Sequence, residues 1–351
     1  MTNTLGTVYY SKEAWTKLEE YITQNQIINV FLIIDEHIEV HCLPHFIKNF
    51  KCSVCEIIRI PTGEKNKDIA TTLFIWEILA HKKADKNSLI LNLGGGMITD
   101  IGGFAASTYK RGMPFVHIPT TLLAMVDAAV GGKTGIDLHH VKNQIGTISL
   151  PQLIVIDTEF LHTLPQEQLL SGMAEVIKHA LIEGEREWER ISILNLEDVQ
   201  SVYDIIPDSI AIKQKIVEKD PLEKKERKIL NYGHTLGHAI ETYSMGKGQI
   251  PLLHGEAIAI GMILETYLSH RIYGFPKDKL EAITGFILSL FSKQFFDETA
   301  IKEIINLMIF DKKNSNGQIK FVLMKNLGDF ALDCEVHEPL IYEAFHFYHH
   351  H

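Results

Sequence analysis

The chain has few cysteines and no long apolar run, and each absence excludes a class of protein. Four cysteines among 351 residues are too few for the disulfide framework of a small secreted domain. The apolar runs are far shorter than the roughly 20 residues that cross a bilayer. The first ten residues, MTNTLGTVYY, lack the basic and then apolar layout of a signal peptide. Together these absences predict a cytoplasmic protein with no membrane partner.

Positive charge is also in short supply. Lys and Arg number 34 against 44 Asp and Glu, which gives a formal net charge of −10. Such a chain has no global field that would attract nucleic acid, so we expect no nucleic-acid partner. An anionic ligand would need a local basic cluster. The hydrophobic fraction of 46% is that of an ordinary globular protein.

One cysteine pair has the spacing of a redox or zinc half-site. Cys52 and Cys55 form a CxxC at the start of a β-rich stretch, where positions three apart face opposite sides of a strand. No second CxxC follows. We therefore interpret these cysteines as structural.

The first half of the chain alternates strand and helix signals. Helical periodicity over 67–81 predicts one apolar stripe of Ile69, Leu73, Trp76 and Ala80. Strands separated by helices imply a largely parallel sheet covered on both faces. The predicted strands are 28–34, 54–60, 88–93, 115–118 and 153–156.

The second half is mainly helical, with helices predicted over 165–183, 209–218, 223–243, 255–273 and 278–293. Short strands are expected near 319–324 and 330–334. The predicted fold class is therefore an α/β, Rossmann-like N-terminal domain, residues 1–160, followed by a mainly α-helical domain, residues 161–351. The terminal run His349–His351 is either native or the remnant of a tag, so it is not predicted to be a metal site.

A glycine run stands directly after a predicted strand. Gly94–Gly96 follows Leu93, and a helix begins beyond it. Glycines there let a phosphate approach the backbone, and the helix N-terminus supplies N–H groups and a positive dipole end. The order is not GxGxxG, so the ordinary Rossmann fingerprint is absent. The position predicts nucleotide-phosphate binding.

A second glycine-rich stretch runs from Asp127 to Asn143. Its GGKT resembles the end of a P-loop, but the first glycine of that motif would fall at Asp127, so the Walker pattern fails. We interpret the stretch as a polar loop packed against another element.

Three histidines in one region suggest a metal site. His234 and His238 are spaced i, i+4 on one helix face, His254 follows, and Glu175 lies on an earlier helix. Two histidines with one carboxylate leave an open coordination position, which suits catalytic zinc. HExxH is absent, so this is no zincin. Spacing alone leaves open which side chains are ligands.

Basic residues are distributed around these motifs. Lys178 and Arg227 are near the proposed metal by helical spacing, whereas Lys213 could equally belong to a solvated helix face. Cations around a metal in an acidic protein favour a small anionic substrate.

Six motifs, in chain order, carry a family resemblance: GGGMITDIGGFAASTYKRG, IPTTLLAMVDAAVGGKTGID, KNQIG, SGMAEVIKHALI, LNYGHTLGHAIE and LHGEAIAIGM. Together they resemble 3-dehydroquinate synthase from about residue 35 to 328. The resemblance implies a shikimate-pathway lyase that converts 3-deoxy-D-arabino-heptulosonate 7-phosphate (DAHP) to 3-dehydroquinate and phosphate. Transient NAD-dependent oxidation, phosphate elimination, reduction and aldol closure make up the implied reaction. The implied cofactors are NAD and a divalent metal, zinc or sometimes cobalt, in a homodimer.

The resemblance also implies a site. Glu175, His234 and His254 would be the metal ligands, with His238 as a substrate-side or proton-relay histidine. The implied NAD contacts are Asp35, Glu64, Lys67, Gly95, Gly96, Asp100, Thr120, Thr121, Lys133, Lys142, Phe160 and Thr163. The implied substrate contacts are Asp127, Lys133, Asn143, Lys178, Lys213, Arg227 and Asn231. Arg111, from a neighbouring subunit, and a lysine of the pair Lys312 and Lys313 would reach the substrate phosphate.

One departure and two alternatives stand beside this interpretation. His37 occupies a position where the family usually has Asn, which puts adenosine-side contacts there in doubt. Another sugar-phosphate cyclase, of the 2-deoxy-scyllo-inosose or valiolone type, would share the fold, NAD and metal. A metal-dependent glycerol or alcohol dehydrogenase would also combine a GGG turn with paired histidines, but it would turn over NADH.

Overall fold

The protein is described here from a computed structural model. It describes residues 6–138, 141–195, 198–246, 251–309 and 319–351. Contacts divide the chain into two compact units. The first unit is Met1–Leu169 with Lys213–Leu222, and the second is Leu170–Ile212 with Glu223–His351. The domain boundary at residue 160 stays a prediction.

The first unit is built on a parallel six-stranded sheet. Its strands are β1 (Thr7–Tyr10), β2 (Val30–Asp35), β3 (Glu56–Ile60), β4 (Leu89–Gly94), β5 (Phe115–Pro119) and β8 (Leu153–Ile156), with β6 (Lys133–Leu138) and β7 (Val141–Ile148) forming a separate hairpin. Its helices are α1 (Ser11–Gln24), α2 (Glu36–His41), α3 (Leu43–Asn49), α4 (Ile69–His81) and α5 (Gly96–Thr108).

The order of the sheet, β1-β8-β5-β4-β2-β3, creates a switch point. From β2 the chain adds β3 on one side and then β4 on the other, and both neighbours are parallel to β2. β2 and β4 are buried along their whole length, as expected for strands covered on both faces. In open parallel sheets, ligands bind at the carboxyl ends of strands beside such a switch point. Asp35 and Gly94 end these two strands.

The second unit is mainly helical. Its elements are α6 (Gln166–Glu183), α7 (Glu185–Ser192), α8 (Val199–Lys219), α9 (His234–Met245), α10 (His254–Tyr273), α11 (Lys277–Leu290), α12 (Glu298–Ile309), β9 (Lys320–Asn326), β10 (Asp329–Glu335) and α13 (Glu338–His350). The first residues of α6, 166–169, and the last of α8, 213–219, belong to the first unit. The α/β and mainly helical fold class predicted from the sequence is confirmed. Within the described residues, no helix is both long enough and apolar enough to cross a membrane.

Three local predictions were wrong. The helix predicted over 223–243 is a 3-10 turn, Glu226–Asn231, followed by α9, because Gly233 has a left-handed φ of 77° that no helix accommodates. The stripe predicted on α4 leaves Ile69 48% and Leu73 51% exposed, while Ile75 and Leu79 are buried. α4 is apolar on nearly every side, so periodicity could not select its buried face.

The glycine-rich stretch from Asp127 to Asn143, predicted as a loop packed against another element, forms the β6–β7 hairpin from Lys133 on. The loop prediction was therefore wrong in this part, and the packing is confirmed. The hairpin packs on α5, where the Ser107 and Thr147 hydroxyls lie 2.7 Å apart. A Cβ on Gly103 of α5 would lie 2.6 Å from the Thr134 side chain, so glycine permits this approach. His139 and His140, between the strands, lie outside the described residues. Cys52 and Cys55 are free thiols.

Candidate active site

A buried carboxylate and two histidines converge in the second unit. Glu175 is fully buried on α6, His234 begins α9, and His254 begins α10. The Nε2 atoms of His234 and His254 lie 3.4 and 3.6 Å from the same Oε1 of Glu175. Among the described residues, neither Glu175 oxygen accepts a hydrogen bond of ordinary geometry, and Oε2 is in ionic contact with Lys178. A buried carboxylate without such partners, facing two imidazole nitrogens, fits a divalent metal.

His238 lies in the same cluster. Its ring centroid is 5.1 Å from that of His234 and 5.8 Å from that of His254. Nitrogens of the three histidines all lie within 4.8 Å of one another. The apo geometry therefore permits either Glu175 or His238 as the third ligand, the same alternative that sequence spacing leaves open.

Second contacts orient both converging histidines. The Nδ1 of His234 lies 3.0 Å from the carbonyl oxygen of Tyr232, and the Nδ1 of His254 lies 3.3 Å from Oε2 of Glu241. Metal-bound histidines usually donate their other ring nitrogen to such acceptors, which fixes tautomer and ring direction. Glu241 is buried and was missed from the sequence, although its place in the motif GHTLGHAIE was visible.

Charge inside the cluster is balanced by Lys178, which forms an ion pair with Glu175 one helical turn away. Burial opposes ionisation of Glu175, but the Lys178 ammonium and His234 hold the pKa of this carboxyl well below its usual range. Burial, reinforced by Lys178, lowers the pKa of His234 to about 3. An ionised carboxylate and a neutral imidazole are the protonation states that metal binding requires, and Glu175 and His234 meet them. Burial opposes protonation of His254, but its contacts with Glu175 and Glu241 raise the pKa of that imidazole to about 9, so His254 would release a proton when a metal binds.

In the first unit, the glycine turn forms a cradle at the end of β4. Gly95 is the N-cap of α5, and within the part of the chain that the structure describes no side chain caps that helix. A Cβ on Gly95 would lie 3.2 Å from Thr121, and one on Gly96 would lie 3.3 Å from Ala128. The amide of Thr120 donates to the Gly94 carbonyl, so the segment after β5 lies beside the turn. Free N–H groups at a helix start beside small residues fit a dinucleotide pyrophosphate.

The predicted cofactor residues Glu64 and Asp100 meet around the buried ammonium of Lys67. The Lys67 Nζ lies 2.7 Å from Glu64, 3.3 Å from Asp100 and 2.9 Å from the amide oxygen of Asn143. Burial raises the pKa of Asp100 to about 6, and Lys67 opposes that rise. The carboxylate of Asp137, which was not predicted as a site residue, accepts a hydrogen bond from the backbone N–H of Asn143 at 2.7 Å. The network ties the cofactor segment to the β6–β7 hairpin.

The other predicted cofactor residues lie around the same sheet edge. Asp35 ends β2, and its carboxylate caps α2 through the amide of Ile38 at 2.9 Å. Phe160 is buried on the 3-10 turn Thr158–Thr163, which follows β8 and ends at Thr163. Lys142 lies 4.0 Å from Glu64. His37 is exposed on α2.

Several predicted substrate residues are paired within their own unit. In the first unit, Lys213 is buried and donates to Asp127 at 2.5 Å, so it does not belong to a solvated helix face. Lys133 begins β6 and is exposed. In the second unit, Arg227 is buried, and the amide of Asn231 donates to Glu223 at 2.7 Å.

Arg111 lies in a strained turn. Lys110 and Arg111 are consecutive non-glycine residues in the left-handed region, with φ of 50° and 66°. Each such residue costs roughly 1 kcal/mol or more, so the surrounding structure must hold the turn. The Arg111 side chain is exposed. Lys312 and Lys313 lie outside the described residues.

Comparisons with known proteins agree with this architecture. The family model "3-dehydroquinate synthase N-terminal" matches residues 57–171, and "3-dehydroquinate synthase C-terminal" matches residues 172–314. A 3-dehydroquinate synthase from Parabacteroides distasonis is 40% identical over 97% of both chains. Another, from Pyrococcus abyssi, is 43% identical over 82% of this chain and 83% of its own.

One similar solved structure contains bound ligands. It is a 2-deoxy-scyllo-inosose synthase complexed with carbaglucose-6-phosphate, NAD⁺ and Co²⁺, with a TM-score of 0.82 and 26% identity, over 96% of this chain and 95% of the other. The matched family models and the 40% identical relative span most of the sequence. The chain therefore belongs to the 3-dehydroquinate synthase family.

Proposed function

We propose that this chain catalyses the reaction of its family, the conversion of DAHP to 3-dehydroquinate with release of phosphate. The observation that carries the proposal is the buried Glu175 carboxylate facing His234 and His254 in a chain that matches this family along most of its length. The enzyme is a lyase. NAD serves as a catalytic cofactor, so the reaction has no net redox change.

Glu175, His234 and His254 are the proposed metal ligands. A bound divalent metal would supply Lewis acidity that lowers the pKa of a coordinated hydroxyl. Glu241 holds His254 through its Nδ1, and the Tyr232 carbonyl holds His234. The carboxylate is already ionised beside Lys178, so binding a cation there requires no deprotonation of Glu175.

The glycine turn and its surroundings are the proposed NAD site. Bound NAD would accept a hydride from the substrate and return it. Gly95 and Gly96 let the pyrophosphate approach the N-terminus of α5. The network around Lys67 fixes Glu64 and Asp100 beside this helix start. Contacts from Asp35, Thr120, Thr121, Lys142, Phe160 and Thr163 remain part of the proposal.

The substrate carries a carboxylate and a phosphate, and the proposed contacts suit these groups. Arg227 and Lys213 supply buried positive charge, and Lys133 supplies an exposed ammonium. The guanidinium of Arg227 is suited to bidentate binding of a carboxylate or a phosphate. Asp127 and His238 are the proposed proton carriers. Lys178, Asn143 and Asn231 complete the proposed set, with Arg111 and either Lys312 or Lys313 at the phosphate.

An assay that measures phosphate release and NADH in the same reaction tests this function. The protein is incubated with DAHP and a trace of NAD⁺, and phosphate and NADH are followed together. A synthase releases phosphate in stoichiometric amount over many turnovers, with no lasting rise in NADH absorbance. Steady NADH accumulation with glycerol and no phosphate from DAHP would instead favour a dehydrogenase. Turnover of glucose 6-phosphate but not DAHP would favour a 2-deoxy-scyllo-inosose synthase.

Three finer features belong to the same proposal. Zinc is the proposed native metal, on the basis of the two-histidine, one-carboxylate donor set. A homodimer is proposed, with Arg111 reaching a neighbouring subunit's substrate; its exposed side chain supports that arrangement. The cytoplasm is the proposed location. Metal analysis of purified protein and sedimentation equilibrium test the first two.

A further inference from the structure

The start of α9 is held by a carboxylate from the neighbouring helix. Glu265 lies in the middle of α10 and is fully buried. Its Oε2 accepts the Gly233 amide at 2.7 Å, and its Oε1 accepts the Leu236 amide at 3.2 Å. These two N–H groups flank His234, the first residue of α9.

The same segment is in close backbone contact with α10. A Cβ on Gly261 would lie 2.0 Å from the carbonyl oxygen of Gly233 and 2.8 Å from the amide nitrogen of Gly237. A Cβ on Gly233 would lie 2.5 Å from the Met262 side chain. The two helices therefore touch backbone to backbone around His234. A change in the Glu265 contact would be transmitted directly to that histidine's main chain.

A buried carboxylate is costly unless its oxygens are satisfied. Two backbone N–H donors and the positive end of the α9 dipole stabilise this one. In return, the carboxylate fixes the direction in which α9 leaves Gly233. His234 Nε2 must approach Glu175 Oε1 closely enough to share one ion, and the two lie 3.4 Å apart. A displacement of about 1 Å at the α9 start would spoil that approach.

We propose that Glu265 is a positioning residue for the metal site, holding the first turn of α9 so that His234 meets Glu175 and His254. The inference rests on the proposed function, because it takes His234 as a metal ligand. Glu265 is not one of the proposed ligands, and its two oxygens accept backbone amides instead. It acts by pre-organising a ligand, so its loss weakens metal binding.

The test measures Zn²⁺ affinity of the full chain by competition with a chromophoric chelator. Glu265→Gln keeps the shape of the side chain but turns an NH₂ group toward one of the two backbone amides. We expect its Kd for Zn²⁺ to rise about 10- to 100-fold, as for other residues that support metal ligands. Excess Zn²⁺ should restore most of the activity, and the visible spectrum of the Co²⁺ form should change. A merely structural role would alter neither the Kd nor that spectrum.

A matched control separates positioning from capping in general. Asp297 caps α12, a helix that carries none of the proposed metal ligands, through the amide of Ala300 at 2.7 Å. Asp297→Asn should lower Tm while leaving the Kd for Zn²⁺ within about twofold of wild type. Glu265→Asp, which keeps the charge but shortens the reach, provides a second variant if Glu265→Gln does not fold. A Kd within twofold of wild type in whichever variant folds would overturn the inference.

Measuring the Zn²⁺ affinity of His234→Ala in the same assay separates a failure of the positioning role of Glu265 from a failure of the proposed ligand set. Loss of Zn²⁺ from His234→Ala with unchanged affinity in Glu265→Gln would refute only the positioning role. Retention of Zn²⁺ by His234→Ala would refute the proposed ligand set itself.

Discussion

The ion pair between Glu175 and Lys178 permits a quantitative test that needs no substrate. Both side chains are almost wholly buried, at 0% and 2% exposure. Removing one partner of a buried pair leaves an uncompensated charge and costs about 3–5 kcal/mol. Replacing both partners with uncharged side chains of similar volume is often close to neutral. Glu175→Gln and Lys178→Met should therefore each destabilise the metal-free protein strongly, and the double variant should recover most of that loss.

The assay is urea unfolding of the metal-free wild type, the single variants and the double variant, followed by far-UV circular dichroism in EDTA. We expect a favourable coupling free energy of at least about 2 kcal/mol from the cycle. Zinc content supplies the independent readout, because the double variant should fold well and still lack metal. Additive losses, or a cost below about 1 kcal/mol for Glu175→Gln, would refute this account of a charged pair sealed from water.

Three further outcomes are expected. His254→Ala should lose zinc, whereas His238→Ala should keep zinc while kcat falls about 10²- to 10⁴-fold; metal analysis giving the reverse pattern would make the ligand assignment wrong. Arg227→Gln should raise the KM for DAHP about 10- to 100-fold, since a charged hydrogen bond is worth about 1.5–3 kcal/mol, and an unchanged KM would remove Arg227 from the substrate site. Burial lowers the pKa of His117 to about 3. Below the unfolded value of 6.5 the unfolded chain therefore binds the extra proton, and acidification from pH 7 to pH 5 should cost about 2 kcal/mol. His117→Gln should lack that part of the pH dependence in urea unfolding, and equal pH dependences would contradict it.

Much of the first unit was predictable because its signals are local. The strand ending at Gly94 has a buried apolar run, and the glycines behind it have one obvious use at a strand's carboxyl end. The buried face of α4 was not predictable, because a helix that is apolar on most sides gives no periodic contrast. Its orientation depends on what packs against it.

The site divides in the same way. His234 and His238 could be placed on one helix from spacing, and Glu175 joined them by motif. Spacing could not show that Glu241 supports His254, nor that Lys213 is buried against Asp127, because each contact joins residues of two different helical segments whose packing the sequence does not give. The interruption of the predicted helix at Gly233 could not be predicted, because a single left-handed residue leaves the apolar pattern on either side intact.

The backbone contact between α9 and α10 has a genetic consequence. Gly233, Gly237 and Gly261 each face atoms within 2.8 Å of where a Cβ would stand. Every glycine codon begins with GG, so any single-base change that alters the amino acid introduces a Cβ or a stop. At these three codons, drift can therefore proceed only through silent third-base changes. A lineage that alters the proposed metal site must do so through the side chains around the contact between α9 and α10, while that contact itself stays fixed.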